Sequence, residues 1–150
     1  MKQDQALRAA FQTLSEIAII GQLADNALRQ VLPEELSVAG FGVLNRFARL
    51  GVDGESPTKL ARAFQVTKGA MTYTLQQLEA LGYVKIEADP GDARGKIVRL
   101  TRAGVRAREA AIAQVYPGMK RMLAVVPAHE FAAALPFLTK LRQVLDAARD

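Results

Sequence analysis

The stretch SPTKLARAFQVTKGAMTYTLQQLEALG (56–82) holds two helix starts so close together that little can lie between them. Ser56-Pro57 pairs an N-cap serine with a proline at the first helical position, where the missing N–H costs nothing. Thr67 is a second N-cap. A short helix burying Leu60, Ala61 and Phe64 therefore ends at Gln65-Val66. A longer helix follows to about Leu81, stopped by Gly82 in the left-handed region that glycine enters cheaply. Two helices joined by a turn of about three residues make a helix-turn-helix.

After Gly82 the apolar period changes from that of a helix to that of a strand. YVKIEA (83–88) and KIVRLT (96–101) alternate and are rich in β-branched residues, which predicts a hairpin. The joining segment, opening DPGDARG, is read as its turn, with Arg94 at the tip. Upstream, residues 4–32 have a helical period. Leu7, Phe11, Leu14 and Ala18 form a stripe that Ile17, Ile20, Ala24 and Val31 widen beyond one face, until Pro33 stops the helix. Ser37 starts a second helix carrying Phe41, Leu44 and Phe47, and Gly51 ends it. Downstream, Thr101 caps a long helix to about Met122, with Pro117-Gly118 as the place for a kink. Pro127 opens a last helix expected to bury Phe131, Leu135, Leu138, Leu141 and Leu145, with a bend at Pro136.

The fold class is mainly α with a small antiparallel β-hairpin wing: a winged helix-turn-helix flanked by N- and C-terminal dimerisation helices. Residues 36–101 form the DNA-binding lobe. Residues 1–35 and 102–150 are too apolar for one small domain to cover, which predicts a homodimer about a two-fold axis.

The sequence contains no Cys and a single His, His129, and carries a net charge of +5. Thiol chemistry, disulfides and zinc sites built on Cys or clustered His are excluded, and no nucleophile, base and partner group into an active site. No cofactor is expected. No apolar run approaches the roughly 18–20 residues of a membrane span, and the first residues lack a signal-peptide core, so a cytoplasmic location and no membrane partner are expected. From Arg94 to Arg108 the chain carries six cations and no acid, which points to a polyanion.

The expected partner is double-stranded DNA. With Met71, Leu75 and Leu78 facing inward, the helix after Thr67 presents Gly69, Tyr73, Gln76 and Ala80 outward, with Thr72 and Gln77 at the edges, groups that suit a major groove. Its N-terminus leaves backbone N–H groups for a phosphate, with Thr67 as cap, Lys68 adding charge, and Gly69 and Ala70 little bulk. Ser56 and Thr58 could hold a neighbouring phosphate likewise. In the wing, Arg94 suits a narrow minor groove, and the Asp92 carboxylate is expected to hold its guanidinium extended. Lys96 and Arg99 are expected to neutralise flanking phosphates. A winged helix used only for protein contacts or dimerisation is the alternative.

With these residues in place, the stretch from Ser37 to Gly104 resembles the MarR (multiple antibiotic resistance regulator) family of bacterial transcription factors. The resemblance rests on the paired helices with Thr-Lys-Gly at 67–69, the exit through Leu78-Glu79 to Gly82-Tyr83-Val84, the Asp-x-Arg wing (Asp92, Arg94) followed by Lys96, and Leu-Thr-x-x-Gly at 100–104. It implies a homodimeric regulator, taken as a repressor, reading a pseudo-palindromic operator. It also implies a small aromatic or phenolic effector that releases the DNA; its pocket is not assigned, with Ile17, Phe41 and Phe47 as candidate wall. Tyr73 departs from the pattern, since many members carry a basic residue there.

Overall fold

The computed structural model describes residues 2–148. Six helices and one hairpin follow in the order α1 (Lys2–Val31), α2 (Val38–Leu50), α3 (Pro57–Phe64), α4 (Lys68–Ala80), β1 (Val84–Asp89), β2 (Asp92–Leu100), α5 (Arg102–Leu123) and α6 (Ala128–Ala147). The chain divides into two compact units, one ending at Gln114 and one beginning at Val115.

In the first unit, short-range caps set the helix boundaries. Ser37, Ser56 and Thr67 each accept from the backbone N–H three residues on, at 2.9, 3.1 and 3.1 Å. The two helices of the pair end alike. At the end of α4, Gly82 N–H donates to Glu79 O and Tyr83 N–H to Leu78 O, with Gly82 at φ 76°. At the end of α3, Gln65 N–H donates to Arg62 O and Val66 N–H to Ala61 O, but the left-handed residue is Gln65, at φ 52°. A side chain in that conformation costs about 1 kcal/mol. The tight connection to Thr67 is kept despite it.

The core beneath α4 is made by Val43, Leu44 and Phe47 of α2, Leu60 of α3, Leu75 and Leu78 of α4, and Val84 and Val98 of the hairpin, all fully buried. Burying each such side chain is worth about 1.5–3 kcal/mol. Phe64, expected inside, is 36% exposed and lies over Gly42, where an added Cβ would sit 3.2 Å from its ring. The short α3 turns its last residue to the lobe's edge. Phe47 is core, so it is no wall of an open cavity.

The strands pair antiparallel, Val84 with Leu100, Ile86 with Val98 and Ala88 with Lys96. Beyond Ala88 the register shifts and Asp89 pairs with Asp92. The turn is thus only Pro90-Gly91, and Ala93, Arg94 and Gly95 form a bulge on β2. On the other edge of β2, Glu55 and Val98 exchange both backbone hydrogen bonds, at 3.1 and 2.8 Å. Gly54, just before, has no room for a side chain, because a Cβ would sit 2.9 Å from Ile97.

Glu55 is the buried charged residue of the lobe, 4% exposed. Arg46 of α2 grips it with two bonds, Nε to Oε2 at 2.8 Å and Nη2 to Oε1 at 3.0 Å. Removing one partner of such a pair costs about 3 kcal/mol or more, because it strands the other charge.

Among the described residues of α1 none is fully buried; Leu7, Phe11, Ile20 and Leu23 are each at least 60% exposed, and only its end, at Leu28, touches the lobe core. In the second unit α6 also buries nothing. Phe131, Leu135, Leu138 and Leu145, expected inside, are 40–63% exposed in the single chain. Pro117 and Pro136 lie within α5 and α6 without ending either helix. No single helix among the described residues is long and apolar enough to cross a membrane.

Candidate nucleic-acid interface

α4 is fastened on its inner face by Met71, Leu75 and Leu78, so its outer face is set by the 3.6-residue period. Thr67, Lys68, Gly69, Ala70, Thr72, Tyr73 and Gln76 are all exposed. The Thr67 cap satisfies the Ala70 amide, and the N–H groups of Lys68 and Gly69 have no carbonyl within the helix to bond. A Cβ added at Gly69 would meet only the Thr67 hydroxyl, at 4.0 Å. Tyr73 stands 64% exposed, and its hydroxyl accepts from Gln77 Nε2 at 2.9 Å. Gln77 was placed only at the edge of this face by spacing; the bond gives it a part in orienting Tyr73.

At the start of α3, Pro57 has no N–H and Ser56 caps Lys59, which leaves the Thr58 amide as the donor without a helical partner. Thr58 and Lys68 line one wall of a cleft of about 480 Å³. Thr72, Leu75, Gln76 and Glu79 continue that wall, and Ile86, Ala88 and Lys96 of the hairpin form the other. Glu79 closes the cleft's inner end by accepting from the Ile86 N–H at 2.8 Å, tying the end of α4 to the root of the wing.

The hairpin differs from expectation in three ways. Arg94 lies in the bulge of β2, not at the tip. The Asp92 carboxylate accepts from the backbone N–H of Arg94 at 3.0 Å and does not hold its guanidinium, which has no partner among the described residues. Two residues of separation bring a carboxylate to a backbone amide more readily than to the end of a long side chain. Arg99 lies on the face opposite Lys96, because successive strand residues alternate. There its Nε donates to Glu87 Oε2 at 3.2 Å, with Lys85 on the other oxygen at 3.2 Å. Lys85 and Arg99 together hold the Glu87 carboxyl below its ordinary value. Arg99 is therefore engaged within the hairpin, while Lys68, Arg94 and Lys96 carry charges that nothing in the described chain neutralises.

Behind the wing, Thr101 joins two elements. Its hydroxyl donates to Gly82 O at 2.6 Å and accepts from Gly104 N–H at 3.0 Å. Gly104 is buried, and a Cβ there would collide with the Tyr83 carbonyl. This is the physical content of Leu-Thr-x-x-Gly: the exit of α4 rests on the start of α5 with no space between.

Paired helices, a three-residue turn and a hairpin closed against the second helix define a winged helix-turn-helix protein. A MarR family model matches residues 43–95. The transcriptional regulator BldR from Sulfolobus solfataricus has a similar structure, with a TM-score of 0.73 at 26% identity over 91% of this chain and 94% of its own. A mutant of Escherichia coli MarR complexed with operator DNA gives 0.67 at 28% identity, over 85% and 91%. BpsR of Bordetella bronchiseptica, whose DNA binding is regulated by 6-hydroxynicotinic acid, shares the fold with a TM-score of 0.66 at 20% identity, over 87% and 98%. A comparison with curated protein sequences returns no match. Residues 43–95 match the MarR family, and the chain has the winged-helix fold of MarR-family transcriptional regulators.

Proposed function

We propose that the protein is a sequence-specific, DNA-binding transcriptional repressor that acts as a homodimer on a pseudo-palindromic operator. The observation that carries this reading is the outer side of the lobe. It combines hydrogen-bonding groups on α4 (Thr72, Tyr73, Gln76), two helix starts with unspent amides, and the unpaired cations Lys68, Arg94 and Lys96. In this reading α4 enters the major groove, the Thr58, Lys68 and Gly69 amides meet phosphates, and Arg94 enters the minor groove. Arg99, already engaged by Glu87, contributes less than Lys96. A wing used for protein contacts would present large apolar groups, whereas the exposed residues of the hairpin are Lys85, Ala88, Pro90, Gly91, Asp92, Ala93, Arg94 and Lys96, none of them a large apolar side chain.

The uncovered apolar faces of α1 and of α6 support a homodimer held by the N- and C-terminal helices. Two lobes so joined set half-sites about 10 bp apart, one helical turn. A small aromatic or phenolic effector fits the reading as well. The cleft between α4 and the wing has the size of a small-molecule site, apolar floor from Leu75 and Ile86, and Lys68 and Lys96 at hand for an acid group. Its walls are the DNA-facing residues, so occupancy and operator binding would compete.

The test is selection from a random DNA pool with the wild type, Thr72→Ala and Gln76→Ala. A near-palindrome enriched by the wild type, with altered bases in the variants, is the expected result. Binding without enrichment, equal in all three, would refute the reading.

A further inference from the structure

The buried Glu55 is used by none of the groups assigned to DNA, yet it touches two of the parts that carry them, the wing and the start of α3. Its backbone is bonded to Val98, near the end of β2 that leads into α5. Ser56, the cap of α3, is the next residue, and Lys59 of α3 approaches its Oε1 at 3.8 Å. Its carboxylate is gripped by Arg46 of α2. The neighbouring residue, Asn45, accepts from Arg108 Nε of α5 at 3.0 Å. Besides the core packing of Val84 and Val98, the wing is tied to the helix pair by the Glu79–Ile86 bond, on β1 rather than β2.

We infer that Arg46 and Glu55 are a positioning pair for the wing, setting where Arg94 stands relative to α4. The inference rests on the DNA-binding reading above. A two-stranded ribbon resists twisting weakly by itself, and its pose follows from its anchors. Glu55 anchors β2 through the backbone, but a backbone bridge fixes only one point. The two parallel bonds from the planar Arg46 guanidinium add direction, since a fork of this kind tolerates little rotation. Gly54, pressed against Ile97, lets the segment lie close enough for both contacts. The pair thus acts through Arg94 without touching DNA.

The experiment is a double-mutant cycle on the operator selected by the wild type and on the same operator with its flanks scrambled. Glu55→Gln removes the charge and keeps the size. It is expected to reduce the preference for the native flanks about three- to tenfold, as Arg94→Ala does, and the combination is expected to lose no more than either alone. A purely structural loss would instead weaken both DNAs equally and add to Arg94→Ala; that outcome overturns the inference and leaves the DNA-binding reading intact. Should Glu55→Gln fail to fold, Arg46→Met with Glu55→Leu replaces both charges by apolar groups, an exchange that buried pairs often tolerate. Loss of flank preference in this folded variant supports the inference; full retention overturns it. If the wild type enriches no operator, both readings fall together.

Discussion

The Asp92 carboxylate accepts a hydrogen bond from the backbone N–H of Arg94, two residues further along the same strand, at 3.0 Å. The acid therefore shapes the bulge and leaves the arginine's charge unspent. With no ion pair to break, the guanidinium can meet DNA without first giving up a partner.

Arg94→Ala is expected to lower affinity for the selected operator by about 1–2 kcal/mol, roughly five- to thirtyfold. Asp92→Asn keeps an oxygen acceptor for the amide and should stay within about twofold of wild type, whereas Asp92→Ala should fall between. Fluorescence anisotropy on a labelled operator separates the three. If Asp92→Asn is as damaging as Arg94→Ala, the carboxylate acts through its charge and the turn geometry is not its main role.

Gly104→Ala is expected to destabilise by about 1–3 kcal/mol, since the new methyl group meets the Tyr83 carbonyl and Leu100. Melting followed by circular dichroism should show a fall of about 3–10 °C. Thr101→Val, which keeps the shape but loses both hydroxyl bonds, should cost about 1–2 kcal/mol. An unchanged melting temperature for Gly104→Ala would mean that α5 can shift away from Tyr83 freely.

Glu87 predicts a small pH effect of known sign. Lys85 and Arg99 keep its carboxyl below the ordinary 4.5 in the folded chain. Its contribution to stability is complete above that ordinary value, where the unfolded chain is also ionised, and disappears as pH falls through the lower folded value. Glu87→Gln should flatten the acid side of the stability curve, and salt should shrink the difference because the group is at the surface. Urea midpoints between about pH 6 and pH 3 give the comparison. Parallel curves for the two proteins would show that the three charges do not interact.

What was legible in the sequence was local. Ser37, Ser56, Thr67 and Thr101 cap the helices they were read to cap, because a cap is settled within three residues. Met71, Leu75 and Leu78 face inward as their spacing requires. The wing was harder. Proline, two glycines and two aspartates suggested a long turn, but the strand pairing continues to Asp92 and leaves Arg94 in a bulge. Nothing in the sequence marks Glu55 as buried, because its partner Arg46 lies nine residues away in α2 and only tertiary packing brings them together. Arg99 was counted with the free cations for the same reason: Glu87 meets it diagonally across the ribbon. The apolar stripes of α1 and α6 were visible, but one chain does not contain what would cover them.

The bridge at Val98 has a mechanical consequence. Arg94 lies beyond it, past two regular strand residues to Lys96, about 7 Å at about 3.3 Å per residue, and then the bulge. A tilt of about 10° at the fulcrum moves the end of even that regular stretch sideways by about 1 Å, enough to separate a hydrogen bond from none. Small substitutions around Gly54 are thus felt at a distance, where the protein would meet its target.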